Sequence, residues 1–396
     1  MNQSLEQRLQ TELASLQEAG TYKRLRYLET PMGPVVRMEG RGEVLVMSSN
    51  DYLGLANHPR VVEAAQKALK QYGAGAASVR FICGTFTIHR QLEEKIAAFV
   101  GKESALLYSS CWNANEGLIP TLVGEGDVVL SDALNHASII DGCRLIRGAQ
   151  RAVYPHNDLN RLEELLKEHQ DKRTKLIISD AVFSMEGDIA HLPELVRLAK
   201  EHNAVVVIDD SHGTGVLGKT GRGLAEHYGL QEETDIITGT FGKALSGSAG
   251  GFVAGSRALT DYLVQKSRPH LFSNSVPPAV CAAALAALTV LEENPQLVQT
   301  LRDNVAYFMR EIKAIGYKPL ETQSAIVPII VGDTAFAIRI SERLLERGIF
   351  VTGFGFPVVP EGAARLRVQI SAAHTRAHLD RALEAFAEVG KEVGLL

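Results

Sequence analysis

From about residue 55 onward, hydrophobic residues alternate between two periods. Seven short runs, SALLYSS, DVVLSD, RAVYP, TKLIISDAVF, NAVVVIDD, DIITGT and GGFVAG, are bounded by Gly, Asp or Asn. They are apolar on both faces, which predicts buried β-strands. Between them, PRVVEAAQKALKQYG, HRQLEEKIAAFVG, DLNRLEELLKEHQ and LPELVRLAKEHN carry apolar residues at helical spacing. Alternating strands and helices of this kind predict an α/β fold. Its central sheet should be mostly parallel and covered by helices on both faces.

The flanks differ. An amphipathic helix is expected over residues 5–19, stopped by Gly20, with short strands near 34–38 and 44–47. Past residue 292 come a long helix over 295–315, the strand AIVPIIVG and a helix over 335–347. Short strands near IFVTG and ARLRVQI follow, then a last helix from Thr375. That reads as a smaller C-terminal α+β domain. The expected division is 1–54 for the N-terminal helix and strands, 55–290 for the large domain and 291–396 for the small one. AVCAAALAALTVL is too short and Ala-rich for a membrane span. Pro277 and Pro278 precede it and suit the first turn of a buried helix.

Composition narrows the function. The 396 residues include 41 Lys plus Arg and 46 Asp plus Glu, a formal net charge of −5. No general basic field points to nucleic acid, so any anion site must be local. Cys83, Cys111, Cys143 and Cys281 lie far apart without a CxxC pair. That is not a zinc spacing, and it suits a reduced protein. The polar N-terminus has no signal-peptide core. A cytoplasmic location, away from membranes, is the expectation.

In parallel sheets, ligands sit beyond the carboxyl ends of strands. Asn135-His136-Ala137-Ser138 follows one strand, and Ser184 follows another. The AVVVID run ends in Asp209, Asp210, Ser211 and His212, and DIITGT leads into Phe241-Gly242-Lys243. One candidate acid, two imidazoles, several hydroxyls and a lysine therefore converge on one edge. The ARLRVQI run adds Arg365 and Arg367.

Two formal motifs compete with that constellation. The segment from Gly213 to Thr220 matches both GxxxxGK[ST] and GxGxxG, which would make Lys219 a nucleotide-binding lysine. Both motifs need a helix starting at the last glycine. Here Gly221-Arg222-Gly223 follows, a poor helix start. A glycine-rich loop is the plainer reading. His136, Asp209 and His212 lack the spacing of a metal motif, so no metal is expected.

An acid, a lysine and hydroxyls at neighbouring strand ends have a specific use. Pyridoxal phosphate (PLP) takes a lysine for its Schiff base and a carboxylate for its pyridine nitrogen. The stretches SVRFICGT, YSSCWNANEG, SDALNHASIIDG, FSMEGDIA, DDSHGTG, TGTFGKALSGSAGG, SRPHLFSNS and VTGFGFPVVPEG carry a family resemblance. The chain resembles the fold-type I PLP-dependent transferases of the α-oxoamine synthase family. The likeness runs from SSNDYLGLANHP to AARLRVQISAAHT. It is strongest to the glycine C-acetyltransferase branch. SSNDYLGL fits the 8-amino-7-oxononanoate synthase branch equally well.

The resemblance implies roles. Lys243 would carry PLP as a Schiff base and move protons at the substrate α-carbon. Asp209 would pair with the pyridine nitrogen, and His212 and Ser184 with the ring oxygen. His136 would stack on the ring and assist proton transfers. Backbone amides of Cys111 and Trp112, with Thr240, would bind the phosphate. Trp112 stands where the acetyltransferase pattern usually has Phe, an exchange that a backbone contact tolerates. Ser273 and Asn274 would reach the neighbouring site of a homodimer. Arg367 would clamp the substrate carboxylate, with Asn50 and His136 nearby. The implied activity is an acyltransferase condensing glycine with acetyl-CoA to 2-amino-3-oxobutyrate and CoA. The sister activity takes L-alanine and a pimeloyl thioester and loses carbon dioxide. One enzyme running both is the third form of this reading.

Overall fold

The computed structural model describes residues 2–396. The chain forms two compact units. One comprises Asn50–Ser184 and Asp188–Arg302; the other comprises the described residues up to Ser49, Met185–Gly187 and Asp303–Leu396.

The first unit is built on a seven-stranded sheet. In spatial order its strands are Ser104–Tyr108, Gly251–Gly255, Ile236–Thr240, Val205–Asp209, Lys175–Asp180, Val128–Asp132 and Gln150–Tyr154. These are the seven apolar runs. Gly251–Gly255 runs antiparallel to both neighbours, and the remaining pairings are parallel. Six strands, all but Gly251–Gly255, therefore present their carboxyl ends at one edge. Lys175–Asp180 is buried at every position, as its Leu-Ile-Ile run demands. One expectation needs correction. Gln150–Tyr154 is an edge strand with Gln150, Arg151 and Val153 exposed, not apolar on both faces. An edge strand has only one neighbour to bury it.

The Ala-rich helix Pro278–Glu293 starts at Pro278 and is largely buried. It packs against the helices Pro59–Tyr72 and Thr87–Val100. Its small side chains allow close approach, and its apolar character on every side suits an enclosed helix.

The second unit holds two three-stranded sheets. Val35–Met38 pairs antiparallel with Gly42–Val46, which pairs parallel with Ile349–Phe350. Ala364–Gln369 lies between Ile326–Gly332 and Thr352–Phe354, antiparallel to both. His374 ties the early and late segments, its Nε2 lying 2.9 Å from the Val46 carbonyl. The helix Gln3–Glu18 forms as the periodicity predicts but buries none of its residues. Among the described residues no helix is long and apolar enough to cross a membrane.

Candidate active site

At the carboxyl edge of the large sheet lies a cavity of ≈ 200 Å³. Its walls include Cys111, Trp112, His136, Asp209, His212, Thr240 and Lys243. Seven residues singled out from the sequence are thus brought together by four different loops. Asp209 is the last residue of its strand and is buried. Lys243 follows the strand Ile236–Thr240 after two residues. His136 caps the helix Ala137–Arg144 and also lines the cavity.

Each side chain is held by a partner. Asp209 Oδ1 accepts the Ser211 backbone N–H at 3.0 Å, and Oδ2 accepts Asn115 Nδ2 at 2.6 Å. The Cys111 thiol lies 3.6 Å from the same Oδ2. Burial, reinforced by the Asp209 charge, pushes that thiol well above its ordinary range. It stays a neutral donor. His212 Nδ1 lies 2.8 Å from the Tyr52 hydroxyl, which reaches Asn50 Oδ1 at 3.4 Å. Trp112 meets the His136 ring edge-to-face, centroids 5.8 Å apart. Thr240 Oγ1 donates to the Gly250 carbonyl and accepts the Gly242 N–H, at 3.1 and 3.0 Å.

The helix Cys111–Leu122 starts at the cavity wall. Its first-turn amides and positive dipole end suit an anion there. The strand beginning at Gly251 makes room for this end: a Cβ on Gly251 would stand 2.3 Å from the Cys111 nitrogen. Asn115, Tyr52 and Asp180 were missed from the sequence, and Ser138 was placed at the strand end without a role. Asn115 lies four residues beyond Cys111, hence on the same helix face.

The remaining candidates lie elsewhere. Ser184 is not in the cavity wall, although Val182 is. Ser273 and Asn274 follow the helix Arg268–Phe272 and line no part of this cavity. Arg367 belongs to the other unit, buried on the strand Ala364–Gln369 with its guanidinium 5.8 Å from the Phe354 ring centroid.

A family model described as Aminotransferase class I and II matches residues 42–386. The chain belongs to that family, among its PLP-dependent α-oxoamine synthases. It is 46% identical over 389 residues to an 8-amino-7-oxononanoate synthase of Thermoanaerobacter pseudethanolicus, covering 98% of each chain. It is 47% identical over 389 residues to the mitochondrial 2-amino-3-ketobutyrate coenzyme A ligase of Bos taurus, covering 98% of this chain and 93% of that one. A serine palmitoyltransferase from S. paucimobilis with a bound PLP–myriocin aldimine superposes with a TM-score of 0.94 at 32% identity, each chain covered over 100%.

The chain is thus a PLP-dependent acyltransferase with the fold-type I architecture. The side chains of this α-oxoamine synthase fit PLP chemically. The cavity offers an amine for the carbonyl carbon, a carboxylate for the ring nitrogen and imidazoles for the ring. It also offers a hydroxyl and a helix N-terminus for the phosphate.

Proposed function

We propose that this chain condenses glycine with acetyl-CoA, releasing CoA and 2-amino-3-oxobutyrate. The observation that supports it most is the meeting of Lys243, Asp209, His136 and His212 in one cavity. PLP, when bound, supplies an electron sink that acidifies the α-carbon of an attached amino acid. Lys243 Nζ would hold the cofactor and would receive the proton from the α-carbon. Asp209 holds a proton at the ring nitrogen, and Asn115 keeps its carboxylate oriented. His212, steadied by Tyr52, donates toward the ring oxygen. His136, which lines the cavity, would cover the ring and keep water from the α-carbon. The resemblance assigns the substrate carboxylate to Arg367 and Asn50, and the ring oxygen also to Ser184. Ser273 and Asn274 are assigned to a partner subunit's phosphate site, so a homodimer belongs to the proposal. Four free cysteines support a reduced, cytoplasmic setting.

A second reading has its own support. Relatives named 8-amino-7-oxononanoate synthase match at 44–48% identity, a range that spans the 2-amino-3-ketobutyrate coenzyme A ligase at 47%. In that reading the amino acid is L-alanine, the acyl donor a pimeloyl thioester, and carbon dioxide leaves. Thiol release measured for glycine, alanine and serine against acetyl-, longer acyl- and pimeloyl-CoA separates the two. The highest kcat/KM is expected for glycine with acetyl-CoA. A higher value for alanine with pimeloyl-CoA, with carbon dioxide evolved, replaces the first reading by the second.

A further inference from the structure

A second buried acid stands beside Asp209, and the roles above leave it unused. Asp180 ends the strand Lys175–Asp180 and is the register partner of Asp209 on the next parallel strand. Side chains of register partners leave a sheet on the same face. Both acids line the cavity, and each is only 4% exposed. A buried acid is costly unless it is neutral or hydrogen-bonded.

Asp180 is bonded to the loop that carries His136. Its Oδ2 accepts the His136 backbone N–H at 2.9 Å. Its own backbone N–H donates to Asn135 Oδ1 at 2.7 Å. Asn135 Nδ2 in turn donates to Ser131 Oγ and to the Ile178 carbonyl, both at 2.9 Å. Two consecutive loop residues are therefore tied to the end of one strand.

The imidazole is held from the opposite side. His136 Nδ1 lies 2.8 Å from Ser138 Oγ, which accepts from Asn115 Nδ2 at 2.9 Å. That same Nδ2 donates to Asp209 Oδ2 at 2.6 Å. Asp209 thus reaches His136 through side chains, and Asp180 reaches it through the backbone. We propose that Asp180 is a positioning residue of this active site: its carboxyl fixes the backbone at His136 and so sets the tilt of the imidazole over the cavity. The proposal rests on the reading of His136 as the ring that faces the cofactor.

The chemistry of Asp180 says what can replace it. Burial, then the charge of Asp209, raises its carboxyl well above the ordinary carboxylate range, against the pull of Lys243 and the His136 amide. The group works as an acceptor oxygen rather than as a charge. Asparagine has the same shape and keeps that oxygen. Alanine and valine do not.

The experiment loads wild type, Asp180→Asn and Asp180→Ala with PLP and compares three readouts. These are thermal unfolding, visible circular dichroism of the bound cofactor, and kcat for glycine with acetyl-CoA. The dichroism arises from the fixed surroundings of the cofactor and needs no turnover. Asp180→Ala should lose at least about half of the dichroic band at unchanged absorbance, and about tenfold or more in kcat. Asp180→Asn should stay within about twofold of wild type in both. Should the alanine variant not fold, Asp180→Val, which fills more of the space but still has no acceptor oxygen, takes its place under the same criteria. A folded, loaded alanine or valine variant with wild-type dichroism and kcat overturns the proposal. So does an asparagine variant that falls as far as alanine, since charge would then be what matters. Failure of the substrate reading would appear differently: wild type itself would not turn over, and the dichroism comparison would stand.

Discussion

Two glycine-rich segments of the large unit each follow a sheet strand and each carry a lysine, yet only one of the two lysines lines the cavity at the sheet edge. The segment from Gly213 to Thr220 matches a phosphate-loop pattern letter for letter. In the structure its glycines wrap two carboxylates. Asp210 accepts the Thr214 hydroxyl at 2.9 Å and the Leu224 N–H at 3.3 Å. Glu226 accepts the Thr220 and Arg222 amides at 3.1 and 2.9 Å. A Cβ on Gly218 would stand 2.2 Å from Glu226 Oε2, and one on Gly223 1.5 Å from Asp210 Oδ2. The space a phosphate would need is filled by acids, and Lys219 points to solvent. The segment around Lys243 matches no phosphate motif, but it opens on the cavity that holds Asp209 and His136. A glycine pattern states what the backbone can do; the side chains that already occupy the amides decide what the loop can bind.

The largest expected effect tests this contrast directly. Borohydride should fix PLP on the peptide containing Lys243. Lys243→Ala should lose that label and about three orders of magnitude or more of turnover, whereas Lys219→Ala should keep both. Label on Lys219 in a peptide map would reverse the assignment of the two segments.

Much of the fold was legible because a buried parallel strand has a simple signature. Val205–Asp209 reads as a strand from four apolar residues ended by an acid. The helix Cys111–Leu122 has no such signature. Gly117 and Pro120 lower its propensity. It forms because Ser110 caps it by accepting the Asn113 N–H, and because Ala114, Leu118 and Ile119 are buried against the core. Gly117 itself is a packing requirement, since a Cβ there would lie 2.7 Å from the Tyr108 ring. The pairing of Ile349–Phe350 with Gly42–Val46 joins segments some three hundred residues apart, and nothing local marks it. In the site, the strand-end rule finds Asp209, His136, His212 and Lys243. It passes over Asp180, although that residue also ends a strand. Asn115 sits inside a helix and Tyr52 in a loop, where only three-dimensional contact gives them a role.

The same contrast recurs at Arg365 and Arg367, which alternate on one strand. Arg365 Nη1 donates to the Met185 carbonyl at 2.7 Å and pairs with Glu186 at 3.0 Å. It is committed to the fold. Arg367 is the residue that the resemblance assigns to the substrate carboxylate. Arg367→Ala should weaken glycine binding by about thirtyfold or more, the cost of a lost bidentate pair, with PLP still bound. Arg365→Ala should instead cost about 3–5 kcal/mol of stability by leaving Glu186 without its partner. Titration of the cofactor absorbance with glycine, beside a denaturant melt, separates the two. An exchange of the two phenotypes would move the clamp to Arg365.

The smallest effect concerns the acid at the centre of the phosphate-like loop. Burial pushes the Asp210 carboxyl up from 3.8 to about 8, against the Thr214 hydroxyl and the Leu224 amide. Between those two values the unfolded chain has given up the proton and the folded chain keeps it. The native state then binds more protons than the unfolded state, so stability from this group is complete below pH 4 and is lost as pH rises toward 8. The slope from one such group is at most about 1.4 kcal/mol per pH unit. Asp210→Asn cannot ionise. Its unfolding free energy should therefore change less steeply between pH 4 and 8 than that of wild type. Turnover should remain within about threefold, because Asp210 is not in the cavity wall. Denaturant melts at four or five pH values give the two slopes. Identical slopes would mean that Asp210 is ionised in the native state and that the loop holds a charge. A loop built around a charge would exclude phosphate more strongly, not less, so the contrast between the two segments would survive with a different cause.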